Sequence, residues 1–279
     1  MEREEDLRER LVLQMQRTHA LRTPNVTAAF LSVSRHRFIP DQPVEVAYED
    51  RALALKEQNG AVISSISQPG MIAQMLEMLD AHPGDRIFEI GTGSGYNAAL
   101  LSSLVGPAGT VVTIELETDL AETARLRLRE SGFTNVEVRT GDAESAAFGE
   151  AFDGIIVTAR SSDIASVWWD ALKDGGHLVV PLDIAYGGER VVAFVRQGSS
   201  LASISTQACS FIGLRNHHEA TSTEIFFRSP GMRYAPQPDA RVPIGIVAKR
   251  RVDVRPEFLQ DADVVVARPE TFFGITLRS

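Results

Sequence analysis

Cysteine is nearly missing from this chain: Cys209 is the only one in 279 residues. That excludes an intramolecular disulfide and any cysteine cluster for zinc, and Cys209 itself reads as a small buried hydrophobe. Long apolar runs are missing as well, since no stretch approaches the roughly eighteen residues that a membrane span takes. The start, Met1-Glu2-Arg3-Glu4-Glu5-Asp6, is charged where a signal peptide would be apolar, which predicts a cytoplasmic protein with no membrane attachment. Positive charge is in deficit. The 28 Lys and Arg stand against 37 Asp and Glu for a net charge of -9, which argues against nucleic-acid binding, where phosphates must be neutralised. No third ligand stands at metal spacing from the adjacent His217-His218, so no metal site is expected; no Ser-His-Asp pattern is evident either.

What is present is ample material for a core, 44% hydrophobic residues, enough for one large domain or one domain with an appendage. The organising stretch is Phe88-Glu89-Ile90-Gly91-Thr92-Gly93-Ser94-Gly95-Tyr96, an apolar strand entering a glycine-rich turn with an Ala/Leu-rich helix behind it. Glycine at three alternate positions lets the backbone turn sharply and approach a ligand closely. The dinucleotide fingerprint needs glycine at position 96, where this chain has Tyr96, so a pyrophosphate is disfavoured. An adenosine ligand without one fits better. Val111-Val112-Thr113-Ile114-Glu115 ends in an acid about twenty residues past the last glycine, where a carboxylate binds ribose hydroxyls. Gly141-Asp142 follows a further apolar strand, within reach of an adenine amine. The ordered set predicts S-adenosyl-L-methionine as cofactor, with Glu89, Gly91, Gly93, Gly95, Tyr96, Glu115, Leu116, Gly141, Asp142 and Ala143 as its binding residues.

Ahead of the turn, residues 7–21 read as a helix, because Leu7, Leu11 and Met15 recur at helical spacing. Residues 27–33 read as a second with Thr27 as N-cap. Residues 60–69 read as a loop rich in Gly and Ser, leading into a helix with Ile72, Met75, Leu76 and Leu79 on its apolar face. From Pro83 the expected order is strand 86–90, helix 96–104, strand 110–115, helix 119–131, strand 135–139, strand 152–158, helix 162–172, strand 177–181 and strand 191–195. This alternation specifies an α/β fold, a doubly wound, mostly parallel, Rossmann-like sheet with helices on both faces. Ligands on such sheets sit beyond the carboxyl ends of the strands, where Gly91, Glu115, Asp142 and Thr158 fall. Trp168-Trp169 reads as core, and Lys249-Arg250-Arg251 as a solvated strand end. Beyond residue 216 the texture is turn-rich, with strands expected at 242–247, 262–267 and 272–276 in a small α+β appendage or an extension of the sheet. The division expected is N-terminal helices and active-site loop over 1–82, a cofactor domain over 83–216 and a C-terminal extension over 217–279.

With these pieces placed, the chain resembles the protein-L-isoaspartate O-methyltransferase family over residues 8–216. The motifs that carry this are Val33-Ser34-Arg35-His36-Arg37-Phe38-Ile39-Pro40, Ala47-Tyr48-Glu49-Asp50, Ile66-Ser67-Gln68-Pro69 and the turn at 89–96. Phe152-Asp153-Gly154-Ile155-Ile156-Val157-Thr158-Ala159 and Leu172-Lys173-Asp174-Gly175-Gly176 are similar to its later strands. The cofactor segments alone indicate a class I methyltransferase, whereas residues 33–69 are specific to this family. One departure stands at the site: the family usually shows Gly-Gln-Thr-Ile-Ser, and this chain has Ile63-Ser64-Ser65-Ile66-Ser67. The resemblance implies that Ser67, with Ser65 in the threonine position and Thr158, positions a substrate carboxylate. It implies methyl transfer to an aspartyl or isoaspartyl side chain of a peptide or protein, the ester then cyclising to succinimide (aspartimide). The serine-rich loop and added tail resemble relatives that modify a dedicated ribosomal peptide, and they tilt the expectation that way. General isoaspartyl repair and small-molecule O-methylation are the alternatives, and the oligomeric state is not set.

Overall fold

The computed structural model describes residues 3–145, 149, 151–184 and 188–215, together with two short strands, Val252–Val254 and Val264–Ala267. The chain opens with α1 (Glu4–Arg17), whose Leu7, Leu11, Val12 and Met15 are buried, with acids in the first turn and Arg17 in the last, as the helix dipole favours. The second helix, α2 (Pro24–Ser32), starts earlier than expected. Pro24 occupies the first turn, and Thr27 lies inside the helix with its hydroxyl donating back to the Thr23 carbonyl at 2.8 Å. A 3-10 turn (Arg35–Phe38) and the short α3 (Val44–Ala47) follow.

Residues 60–69 are not the loop expected from sequence. β1 (Leu53–Gln58) and β2 (Ala61–Ile66) form an antiparallel hairpin closed by Asn59 and Gly60, both at positive φ, +53° and +78°. An Asn-Gly pair suits that two-residue turn, and at its base Leu53 pairs with Ile66, both buried. The hairpin leads straight into α4 (Pro69–Leu79).

The main sheet then builds as alternating elements: β3 (Arg86–Ile90), α5 (Tyr96–Val105), β4 (Thr110–Glu115), α6 (Thr118–Glu130), β5 (Val136–Thr140), β6 (Phe152–Val157), α7 (Ser166–Ala171) and β7 (Leu172–Ile184). β3 to β7 are parallel, in the spatial order β7-β6-β3-β4-β5. The sheet then turns antiparallel through β8 (Gly188–Gln197), β9 (Ser200–Ala208), β11 (Val264–Ala267) and β10 (Val252–Val254). Neighbouring residues of one strand serve opposite cores: Ile87, Val111, Ile156 and Val179 join the cluster with α1, α2, α4 and α5. Phe88, Val112, Ile155 and Val180 join the cluster with Trp168 and Trp169 of α7. Both faces are buried, so the strands read as nearly continuous apolar runs.

Several bounds differ from the sequence reading. α7 begins at Ser166 because the Ser161 amide is held by the Pro181 carbonyl and its hydroxyl by the Asp163 carbonyl, which keeps 161–164 off the helix. β7 starts at Leu172 rather than at 177, and β9 was not foreseen. Of the C-terminal strands expected, 262–267 overlaps β11, which extends the sheet. The stretches 242–247 and 272–276, the His217-His218 pair and Lys249-Arg250-Arg251 lie outside the described residues.

Candidate active site

The order of the parallel strands reverses between β3 and β6, and that is where a crevice opens beyond their carboxyl ends. Gly91 follows β3 at φ +95°, and a Cβ there would stand 2.5 Å from Thr158 Oγ1, just past β6. Only glycine fits both constraints. The Thr158 amide donates to the Ile90 carbonyl at 2.9 Å and its hydroxyl to the Gly91 carbonyl at 2.7 Å. Thr158 thus faces the crevice while its one hydroxyl proton is held by the turn.

Glu89 lies under the turn, fully buried, with its carboxylate accepting from Thr113 Oγ1 at 2.6 Å and Asn97 Nδ2 at 2.8 Å. Burial outweighs those two donors and pushes its carboxyl up to about 7. At the end of β4, Glu115 accepts from the Gly93 amide at 2.8 Å and from the Glu117 amide at 3.2 Å. A carboxylate has about four acceptor sites, so two remain for a ligand. Past β5, Asp142 caps the Glu144 amide at 2.8 Å, while the Ala143 carbonyl takes Trp168 Nε1 at 2.8 Å.

These groups surround a cleft of about 560 Å³, within the range of ligand sites. Ser64, Ser65 and Ser67 line it from the hairpin side, and Gly91, Gly93, Glu115, Leu116, Gly141, Ala143 and Thr158 from the strand ends. Four expected residues do not line it. Glu89 is beneath the turn; Asp142 turns to the Glu144 amide; Gly95 faces α6, where a Cβ would come within 3.2 Å of Leu128 Cγ. Tyr96 is core, fully buried with ring centroids 6.4 Å from Phe30 and 5.7 Å from Phe38, and burial raises its phenol pKa.

Three parts of the site have no counterpart in the sequence reading. The segment after β9, with Cys209, Phe211, Leu214 and Arg215, forms the far wall. Cys209 is half-buried there, and burial pushes its thiol up to about 12. Glu117 ties that wall to the hairpin, accepting from Arg215 at 2.8 Å and from Lys56 Nζ at 2.6 Å, while Lys56 also reaches Asp119 at 2.7 Å. Behind the cleft, Arg35 Nη2 donates to the Ser67 carbonyl at 3.0 Å, and Asp50 accepts from the Gly70 amide at 2.7 Å and from Gln68 Nε2 at 3.2 Å. Arg35 and Asp50 sit inside motifs visible in the sequence, but an isolated charge in a turn carries no periodic signal of its role.

Residues 6–219 match the family described as protein-L-isoaspartate(D-aspartate) O-methyltransferase (PCMT). The chain belongs to this family. A protein-L-isoaspartate O-methyltransferase 2 from Nitrosococcus oceani is 39% identical over 70% of this chain and 85% of that one. A protein-L-isoaspartate O-methyltransferase from Methanopyrus kandleri is 34% identical over 74% and 90%. Among solved structures, a protein-L-isoaspartate O-methyltransferase superposes with a TM-score of 0.67 at 28% identity, over 74% of this chain and 65% of that one. A Plasmodium falciparum chain solved with S-adenosyl-L-homocysteine superposes at 0.64 with 20% identity, a likeness of fold. This methyltransferase therefore has the Rossmann-like class I architecture and uses S-adenosyl-L-methionine. The cleft suits that cofactor: Glu115 keeps free acceptor sites, and Ile114, Leu116 and Ala143 offer apolar surface beside it. Among the described residues no helix is long and apolar enough to cross a membrane, and no cluster of His, Cys, Asp or Glu gathers in a way that would hold a metal ion.

Proposed function

We propose that the cleft methylates the free carboxylate, the α-carboxylate, of an isoaspartyl residue in a peptide or protein, in the cytoplasm. The observation that carries this is one cavity lined both by the hydroxyl-bearing Ser65 and Ser67 and by the acid of Glu115. Glu115 takes the ribose hydroxyls, the Gly91–Gly93 backbone lies along the cofactor, and Ser67 with Ser65 donates to the acceptor carboxylate. Bound there, the cofactor offers a methyl group on a sulfonium. A free carboxylate of this kind is ionised at neutral pH, the ordinary pKa being about 3.5 for an α-carboxyl and about 3.9 for an aspartate side chain, so no residue has to remove a proton. One carboxylate oxygen forms the bond to the methyl carbon as the carbon–sulfur bond breaks, and the electron pair stays on sulfur. The protein's part is placement, which is worth up to about 7–11 kcal/mol in well-oriented reactions. Neutral hydroxyls suit that task because a direct salt bridge would hold the carboxylate too firmly before transfer. Cyclisation of the ester to succinimide is the substrate's own chemistry.

The relatives described above carry isoaspartate in their names, which favours repair-type substrates over the dedicated peptide towards which the sequence leans. The dedicated reading keeps the two supports it had in the sequence, the Ser64-Ser65 pair that replaces the family's Gln-Thr in β2 and the added segment beyond the family match at residue 219. Incubation with labelled S-adenosyl-L-methionine and two peptides of one sequence, with isoaspartate or normal Asp, separates the readings. Turnover of the isoaspartyl peptide alone is expected; no turnover of either would return the dedicated precursor to first place. Ser67→Ala is expected to lower turnover about tenfold or more while cofactor affinity changes little. Equal turnover would remove Ser67 from the acceptor site.

A further inference from the structure

Arg35 is, among the described residues, the one Lys or Arg that is fully buried, and it sits in the 3-10 turn ahead of the hairpin. Its Nη2 donates to the Ser67 carbonyl at 3.0 Å, and its guanidinium carbon lies 5.0 Å from the Tyr96 ring centroid. Its Nε and Nη1 have no hydrogen-bond partner among the described residues. The carboxylate that acts on it is Asp50, whose two oxygens each accept one hydrogen bond, from the Gly70 amide and from Gln68 Nε2. Burial pushes the guanidinium down to about 10, which leaves it charged at neutral pH. A buried cation with idle donors costs stability, and folds shed such groups unless something else needs them. Here the charge stands directly behind the backbone of Ser67, the residue read above as the acceptor-side hydroxyl.

We propose that Arg35 is a positioning residue for the acceptor: it fixes the Ser67 backbone and supplies, one layer behind the cleft, the positive charge that draws the substrate carboxylate in without bonding to it. This rests on the carboxylate-methylating reading of the cleft. It also meets the constraint set by the chemistry. A cation in contact with the nucleophile would tie up the oxygen that must form the new bond, whereas a cation behind Ser67 attracts the anion and leaves that oxygen free.

The test compares wild type, Arg35→Met and Arg35→Lys in three measurements: methylation kinetics on an isoaspartyl peptide, affinity for S-adenosyl-L-homocysteine, and melting temperature. Arg35→Met removes the charge and keeps much of the volume. Its melting temperature is expected to equal or exceed wild type and its S-adenosyl-L-homocysteine affinity to stay within about twofold, while kcat/KM falls about tenfold, mostly through KM. Arg35→Lys restores the charge and is expected to recover part of that loss. The proposal is overturned if Arg35→Met matches wild type in kcat/KM, if it loses melting temperature and affinity together with activity, or if Arg35→Lys is no better than Arg35→Met. An active wild type with any of these results rejects the proposal alone. A wild type inactive on the isoaspartyl peptide rejects the underlying reading and this proposal with it.

Discussion

Gly91→Ala puts a methyl group 2.5 Å from Thr158 Oγ1 on a backbone at φ +95°. A positive φ alone costs a residue with a Cβ about 1 kcal/mol, and the clash must also push Thr158 off the Gly91 carbonyl. The expected result is a lower melting temperature and weaker cofactor binding together, read by thermal scanning and calorimetry; loss of neither would mean that the turn relaxes freely. Glu115→Ala should behave differently, since it removes an acid at the end of β4 that lines the cleft. Cofactor affinity is expected to fall about tenfold or more, and catalysis at saturating cofactor much less. Unaltered affinity would end the ribose assignment. Gly91 and Glu115 both line the cleft, and those places were legible in the sequence because a glycine at a strand end and an acid ending the next strand are tied to chain geometry. The place of Tyr96 next to the third glycine suggests ligand contact, but the first turn of α5 rotates its side chain into the core between Phe30 and Phe38. Arg35 was visible only as part of the 33–40 motif and its place behind the cleft was not, because that depends on Ser67, 32 residues away.

The hairpin is the element that the sequence hid most thoroughly. Leu53–Gln58 mixes Lys56, Glu57 and Gln58 with apolar residues and shows no clean alternation, since register shifts interrupt its pairing. The Asn59-Gly60 turn was the available clue. The parallel strands β3, β4 and β6, by contrast, are short apolar runs bounded by turns, and their bounds were read to within a residue. Seated beside Gly93, the hairpin is held by Lys56, which reaches both Glu117 and Asp119. Those carboxylates raise the Lys56 pKa, and Lys56 lowers theirs in turn. Lys56→Met should therefore loosen the hairpin without unfolding the sheet. Dissociation of S-adenosyl-L-homocysteine is expected to quicken a few-fold, and raised salt should produce the same change in wild type but not in the variant. Stopped-flow measurement at two salt concentrations checks this, and a rate indifferent to both would detach the ion pairs from the hairpin's motion.

Across the whole molecule, pH acts through the acid buried under the cofactor turn. Glu89 has a folded pKa of about 7, above its unfolded value of about 4.3. A raised acid favours the fold in its neutral form, so its contribution is complete below about pH 4.3 and is lost as pH rises through 7. Wild-type melting temperature is expected to decline from pH 5 to about 8 relative to Glu89→Gln, which lacks that titration. Parallel curves for the two proteins would show that Glu89 stays ionised in the fold. The order of strands has a further consequence, for synthesis. β3 emerges from the ribosome before β6, yet the turn at its end is completed by Thr158, and the far wall of the cleft arrives only with residues 209–215. A nascent chain that holds the whole glycine turn is thus still without the cleft's far wall, and the site is complete only once residues 209–215 have been made and packed.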